Sequence, residues 1–194
     1  MGKGRLEAFS DGVIAIIITI MVLELKVPRA VDLAALGPVV PTLCSYTVSF
    51  VFVAIYWNNH HHMLHAAKHV NGKVLWANMH LLFWLSLLPF ATGWIGEHPE
   101  AATPTALYGV VCLASGVAWL ILQTALLRLH GEDSVFAKAL GSDLKGKISA
   151  TTYLTGVGFA YVAHWISVAL YVLVAMMWLV PDRRFERAVH AEPK

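Results

Sequence analysis

Long apolar runs, each interrupted by only a few polar positions, dominate the chain. A bilayer core about 30 Å thick is crossed by a helix of roughly 20 apolar residues, with about 17–25 observed. Six runs approach that length, at 9–25, 39–57, 74–95, 107–127, 148–162 and 165–180. The last two are short and nearly continuous, and Gly156, Gly158 and polar Tyr161 and His164 predict a tight reversal between them. The pattern predicts an all-α polytopic membrane protein, with a single six-helix transmembrane domain over 1–194.

Charge placement tests the count. With six spans and both ends on one side, Lys3, Arg5, Lys68, Lys73, Arg128, Lys138, Lys145, Lys147, Arg183, Arg184, Arg187 and Lys194 share a face. Only Lys26 and Arg29 fall opposite. Short loops rich in Lys and Arg stay inside, so both termini are expected in the cytoplasm. Five spans would move the C-terminal basic cluster outside.

Composition agrees. The 194 residues are 58% hydrophobic and 13% charged, with a mean hydropathy of +0.64. Soluble domains carry about 25% charged residues, and one this apolar would expose large sticky patches. The net charge of +2 lacks the clustered basic face that nucleic acid requires. Cys44 and Cys112 lie in apolar runs without CxxC spacing, which excludes a disulfide scaffold and a thiolate zinc site. The first run holds Asp11 and has no small-residue cleavage site, so it reads as a span and not as a signal peptide.

The first span carries the most chemistry. At about 100° per residue, Ile16, Ile20, Leu23 and Val27 form a narrow aliphatic stripe, while Asp11 lies about 140° from Ile16. On the pattern alone, the stripe fits a lipid-facing surface or the lining of a pore. A central Asp costs roughly 2.5–3.5 kcal/mol on insertion scales, so Asp11 should turn into the bundle and find a partner. Arg5, Asn58, His61, Asn78 and His80 are the candidates.

The run Arg5-x-x-x-Phe9-Ser10-Asp11, followed by Gly-Val-x-Ala-Ile-x-x-Thr-x-x-x-Leu-Glu-Leu, closely resembles the signature of the lysosomal potassium channel family (transmembrane protein 175). The block Trp76-Ala-Asn78-Met-His80-Leu-Leu-Phe-Trp84-x-x-Leu-Leu-Pro89-Phe also resembles that family's third span. Span count and orientation match its prokaryotic, single-repeat branch over essentially the whole chain. The resemblance implies a potassium-selective or potassium-preferring channel, a homotetramer in a prokaryotic cell membrane whose first helices line the pore. It further implies an aliphatic constriction at Ile16, Ile20 and Leu23. An apolar ring of this kind can gate by dewetting. Thr19 is the candidate selectivity layer, set against the ordinary bond of a helical threonine to the carbonyl one turn earlier. Arg5, Phe9, Ser10 and Asp11 form the expected structural and gating motif, with Asn58, His61, Asn78, His80 and Trp84 as its possible partners.

Other signals carry less. Thr155-Gly-Val-Gly-Phe159 has the wrong order for a potassium-channel filter loop and reads as small-residue packing. His61, His65 and His69 would stack on one helical face, but no carboxylate or cysteine accompanies them. A pH-responsive helix end is expected there in place of a metal site, and no cofactor is expected beyond permeant K⁺. No phosphate loop, nucleophile elbow or paired carboxylates support an enzyme. The alternatives kept open are a proton-coupled secondary transporter using Asp11 and a non-conducting membrane scaffold.

Overall fold

The computed structural model describes residues 2–131 and 144–179. Among these residues the chain is helical with no strand: α1 (Lys3–Leu23), a 3₁₀ segment (Leu33–Val39), α2 (Val40–Ala66), α3 (Gly72–Ser86), α4 (Leu88–Glu97), α5 (Ala102–His130), α6 (Leu144–Phe159) and α7 (His164–Leu179). The all-α membrane architecture expected from the sequence is present. Four stretches, Lys3–Leu23, Leu33–Ala66, Gly72–Glu97 and Ala102–His130, are long and apolar enough to cross a bilayer. Helices α6 and α7 have 16 residues each, roughly 24 Å at 1.5 Å per residue. Lys138, Arg183, Arg184, Arg187, Lys194 and Val180 lie outside the described residues.

The third apolar run, read as one span over 74–95, is two helices. Pro89 is the second residue of α4. It has no N–H to donate and its ring crowds the carbonyl four residues back, that of Leu85. The chain responds by tightening: Leu87 N–H donates to Trp84 O at 3.2 Å, and the regular four-residue ladder resumes with Ala91 N–H to Leu87 O at 3.1 Å. The pass continues across the break.

The second difference is at the end of α2. The helix runs past residue 57 and through the histidine run to Ala66, then stops where Ala67 turns extended. His61 and His65 stack at 6.2 Å, but His69 lies beyond the helix and packs on His130 at 4.8 Å. Three histidines in register would need one more turn of helix. Among the described residues no group of three His, Cys, Asp or Glu is placed to hold a metal.

Connections between helix ends define two ends of the bundle. At one, Lys3 Nζ donates to His65 O at 3.2 Å, Lys68 N–H donates to His130 Nε2 at 3.0 Å, and Trp178 Nε1 donates to Ser149 Oγ at 2.8 Å. The start of α1 and the ends of α2 and α5 therefore meet there, and the α6–α7 pair joins them through a cavity that Asn59, Ser149 and Trp178 line together. At the other, Lys26 pairs with Glu97, and that hydrogen bond holds the ammonium above its ordinary range.

Helix α5 is the spine, packing on α3, α4, α6 and α7, whereas α1 packs on α2, α3 and α4. The α6–α7 reversal spans 160–163, with Ala163 N–H donating to Phe159 O at 2.7 Å. Thr155-Gly-Val-Gly-Phe159 is helical. A Cβ on Gly156 would lie 2.5 Å from Tyr171 Cε1, and one on Gly109 would overlap the Tyr171 hydroxyl. These two glycines admit the Tyr171 ring, which packs at a tilt of 40° against Tyr108 and Tyr153 at 5.8 and 5.9 Å. Small-residue packing is what the segment does.

Candidate pore helix and its anchoring network

Helix α1 has two unlike faces. Leu6, Ser10, Ile14, Ile17 and Met21, spaced by four or three, are buried against α2–α4. Ile16, Ile20 and Leu23 point away from the protomer, with 58%, 43% and 78% of their surface exposed. Both faces are apolar, so hydropathy alone could not tell them apart; packing decides which is inside. The exposed side of α1 borders a groove lined by Val13, Ile17, Pro89 and Phe90 as well as Ile16 and Ile20. Thr19 is also exposed, and its hydroxyl donates to Ile16 O at 2.9 Å. The back-bond weighed from the sequence is formed, and the hydroxyl oxygen keeps lone pairs to accept.

The polar residues of α1 are held from the opposite side. Ser10 and Asn78 have no exposed surface and His60 has 1%. They form a directional chain: His60 Nε2 donates to Asn78 Oδ1 at 2.7 Å, and Asn78 Nδ2 donates to Ser10 Oγ at 2.9 Å. Ser10 Oγ then donates to Leu6 O at 2.8 Å. Three helices are pinned through one amide. An amide suits this position, because a single side chain must accept from α2 and donate to α1.

Asp11 takes a different partner. Its Oδ1 accepts from Trp57 Nε1 at 3.0 Å, and the Trp57 ring stacks on His61 at 6.0 Å. Trp57 is not among the partners expected from the sequence, and none of Arg5, Asn58, His61, Asn78 or His80 bonds Asp11 in the protomer. His80 and Trp84 bond each other within α3, Trp84 Nε1 to His80 Nε2, at 2.9 Å. Arg5 and Phe9 are exposed. On the wheel each lies within about 20° of Ile16. The four motif residues thus split in the protomer: Ser10 and Asp11 fasten α1 to α2 and α3, while Arg5 and Phe9 share the outward sector.

His60 is the member of this hydrogen-bond chain that the sequence expectations omit. The signal was available in its phase along α2. Val53, His60 and Leu64 are all buried on one face, and the spacing of seven and four residues follows the helical repeat. His61, the neighbour singled out from the sequence, sits one step round and is exposed.

The fold and this helix define a polytopic all-α membrane protein whose first helix is fastened on one side and bare and aliphatic on the other. The family model described as "Endosomal/lysosomal potassium channel TMEM175" matches residues 5–89. A potassium channel of Chryseobacterium sp. (strain P1-3) is 50% identical over 189 residues, covering 97% of this chain and 98% of that protein. A potassium channel of Streptomyces collinus is 30% identical, with 91% of each chain covered. Among solved structures, the crystal structure of a lysosomal potassium-selective channel TMEM175 homolog from Chamaesiphon minutus superposes with a TM-score of 0.76 at 27% identity. It covers 93% of this chain and 97% of that one. The chain belongs to the TMEM175 family of ion channels, as the resemblance of its first and third spans implied.

Proposed function

We propose that the chain is one subunit of a homotetrameric, potassium-preferring cation channel in a prokaryotic cell membrane, with both termini in the cytoplasm and α1 of each subunit lining a central pore. The observation that carries this reading is the outward aliphatic stripe of α1, in a protomer that buries the helix's other face. One such stripe encloses nothing, so a conduit along it takes several copies. The names of the bacterial relatives and of the structural neighbour support potassium as the permeant ion. The described basic residues Lys3, Arg5, Lys68, Lys73, Arg128, Lys145 and Lys147 gather at the α1-start end, which supports a cytoplasmic assignment.

Rings of Ile16, Ile20 and Leu23 would stack about 6 Å and about 4.5 Å apart along the axis, given 1.5 Å rise per residue. A neck of that kind excludes water and ions until it widens. Thr19 sits between the first two rings, where its hydroxyl oxygen offers a polar contact to a passing cation. Ser10 and Asp11, through Asn78, His60 and Trp57, fix the rotation of α1 that aims the stripe. Arg5 and Phe9 complete the motif at the outward sector. The bilayer and further copies of the chain are the partners, and the permeant ion is the only ligand required; neither an enzymatic step nor nucleic acid enters.

Reconstitution in liposomes tests the assignment. Ile16→Asn and Leu23→Ala should each raise K⁺ flux, because both weaken an apolar ring. Unaltered flux in both variants, with the oligomer intact, refutes the pore assignment. Comparison of K⁺ with Na⁺ flux in the same vesicles tests the preference.

A further inference from the structure

Between α3 and α5, on the side away from α1, an open groove of about 920 Å³ climbs from the end of the bundle where α1 starts. Lys73 and Arg128 stand at its mouth, with Trp76 above them and 79% exposed. Further in, the walls are mostly apolar, formed by Ala77, Val117, Leu120, Ile121 and Ala125, with His80 and Thr124 as the polar exceptions. The lining includes no Asp or Glu, and among the described residues neither Lys73 nor Arg128 makes an ion pair. Two cations with no acidic partner among the described residues therefore sit over a mostly apolar trough.

The dimensions match one leaflet. From Val117 to Arg128 the α5 wall is 11 residues long, about 16 Å at 1.5 Å per residue, and half of a ~30 Å bilayer core is about 15 Å. Positive charge and an exposed tryptophan lie at the level of the headgroups, and hydrocarbon surface lies below. Helix α3 also begins at this mouth, so the positive end of its dipole adds to the same field. A soluble anion would use the charges and leave the trough wet. A zwitterionic lipid would also bring a phosphate, but its own ammonium would sit beside the two cations and cancel the net attraction.

We propose that the α3–α5 groove is a binding site for an anionic phospholipid, its phosphate held by Lys73 and Arg128 and one acyl chain laid along Val117, Leu120 and Ile121. The site rests on the reading of this end of the bundle as a membrane interface, and it is independent of conduction.

Native mass spectrometry of the full-length protein in detergent, titrated with phosphatidylglycerol or phosphatidylcholine, tests the site. The wild type should retain phosphatidylglycerol in preference. The K73Q/R128Q variant should bind it roughly 25-fold more weakly, from about one basic-residue contribution each, with phosphatidylcholine unchanged. Thr124→Trp keeps both cations and fills the trough, and should also displace the lipid. Lys147→Gln, at the same end but outside the groove, should leave retention as in the wild type. Equal retention of the two lipids, or undiminished phosphatidylglycerol on K73Q/R128Q, overturns the site. So does retention by Thr124→Trp, which would reduce the effect to surface charge. Loss of the oligomer in K73Q/R128Q would overturn it too, by making the groove an interface between copies. Because the readout is lipid mass and not flux, failure here leaves the channel reading standing, and the reverse also holds.

Discussion

Asn78 is the residue whose removal should cost most for its size. Asn78→Ala deletes the acceptor that His60 Nε2 uses at 2.7 Å and the donor that reaches Ser10 Oγ at 2.9 Å. His60 is then left buried, with 1% of its surface exposed. An orphaned buried polar group costs about 1–3 kcal/mol, and losing the second bond adds about 1 kcal/mol, so roughly 2–4 kcal/mol is expected. Ser10 loses less, because its hydroxyl still donates to Leu6 O. For a chain of this length each kcal/mol moves Tm by about 2–4 °C, which places the fall at about 4–16 °C. The assay is thermal unfolding in one fixed detergent, with the oligomer checked beforehand. Ser10→Ala and the S10A/N78A double variant complete a cycle. Interhelical hydrogen bonds in membranes couple by about 0.6 kcal/mol on average and up to about 1.7, so the double variant should be milder than the sum of the singles by an amount in that range. Two singles within about 1 °C of wild type, or costs that add without any coupling, would refute the idea that this chain of donors pins α1.

Gly156→Ala brings a Cβ to 2.5 Å from Tyr171 Cε1, and overpacking of that kind costs about 1–3 kcal/mol; a thermal scan unchanged from wild type would show that α7 shifts freely. Asp11→Asn keeps an oxygen for Trp57 Nε1 and Asp11→Leu does not, so Tm should fall further in Asp11→Leu, and equal Tm values would mean that the 3.0 Å bond contributes nothing.

Periodicity and charge made the architecture legible. Apolar runs reveal spans because an unpaired backbone in hydrocarbon is too costly for anything but a helix. The basic residues also set an expected orientation without any contact being known. The break at Pro89 was legible in principle, since proline's lost donor is a local property, yet the apolar run around it hid the interruption. The end of α2 was not legible. Residues 58–69 keep a four-residue histidine spacing past the point where Ala67 turns extended, and what ends the helix is the seating of Lys68 and His69 against His130, 61–62 residues away.

The candidate site divides in the same manner. Ser10, Asp11 and Asn78 were found from their cost in a membrane, and the stripe from its spacing. The candidates for Asp11 did not include Trp57, and His60 was not among the expected residues. A membrane helix faces lipid, protein and pore with similar side chains, so hydropathy does not phase it about its axis.

By itself, then, the sequence determined that this chain crosses a bilayer as helices, which end carries the positive charge, and which residues in α1 are too polar to be idle. Tertiary structure alone decided that Leu6, Ile14, Ile17 and Met21 go inside and Ile16, Ile20 and Leu23 stay out. It also decided that Ser10 reaches His60 through Asn78, and that Asp11 answers to Trp57. The reason is that helix formation is a local matter of backbone hydrogen bonds. Rotation and partnership come from which helices pack against which, and that information belongs to residues dozens of positions apart.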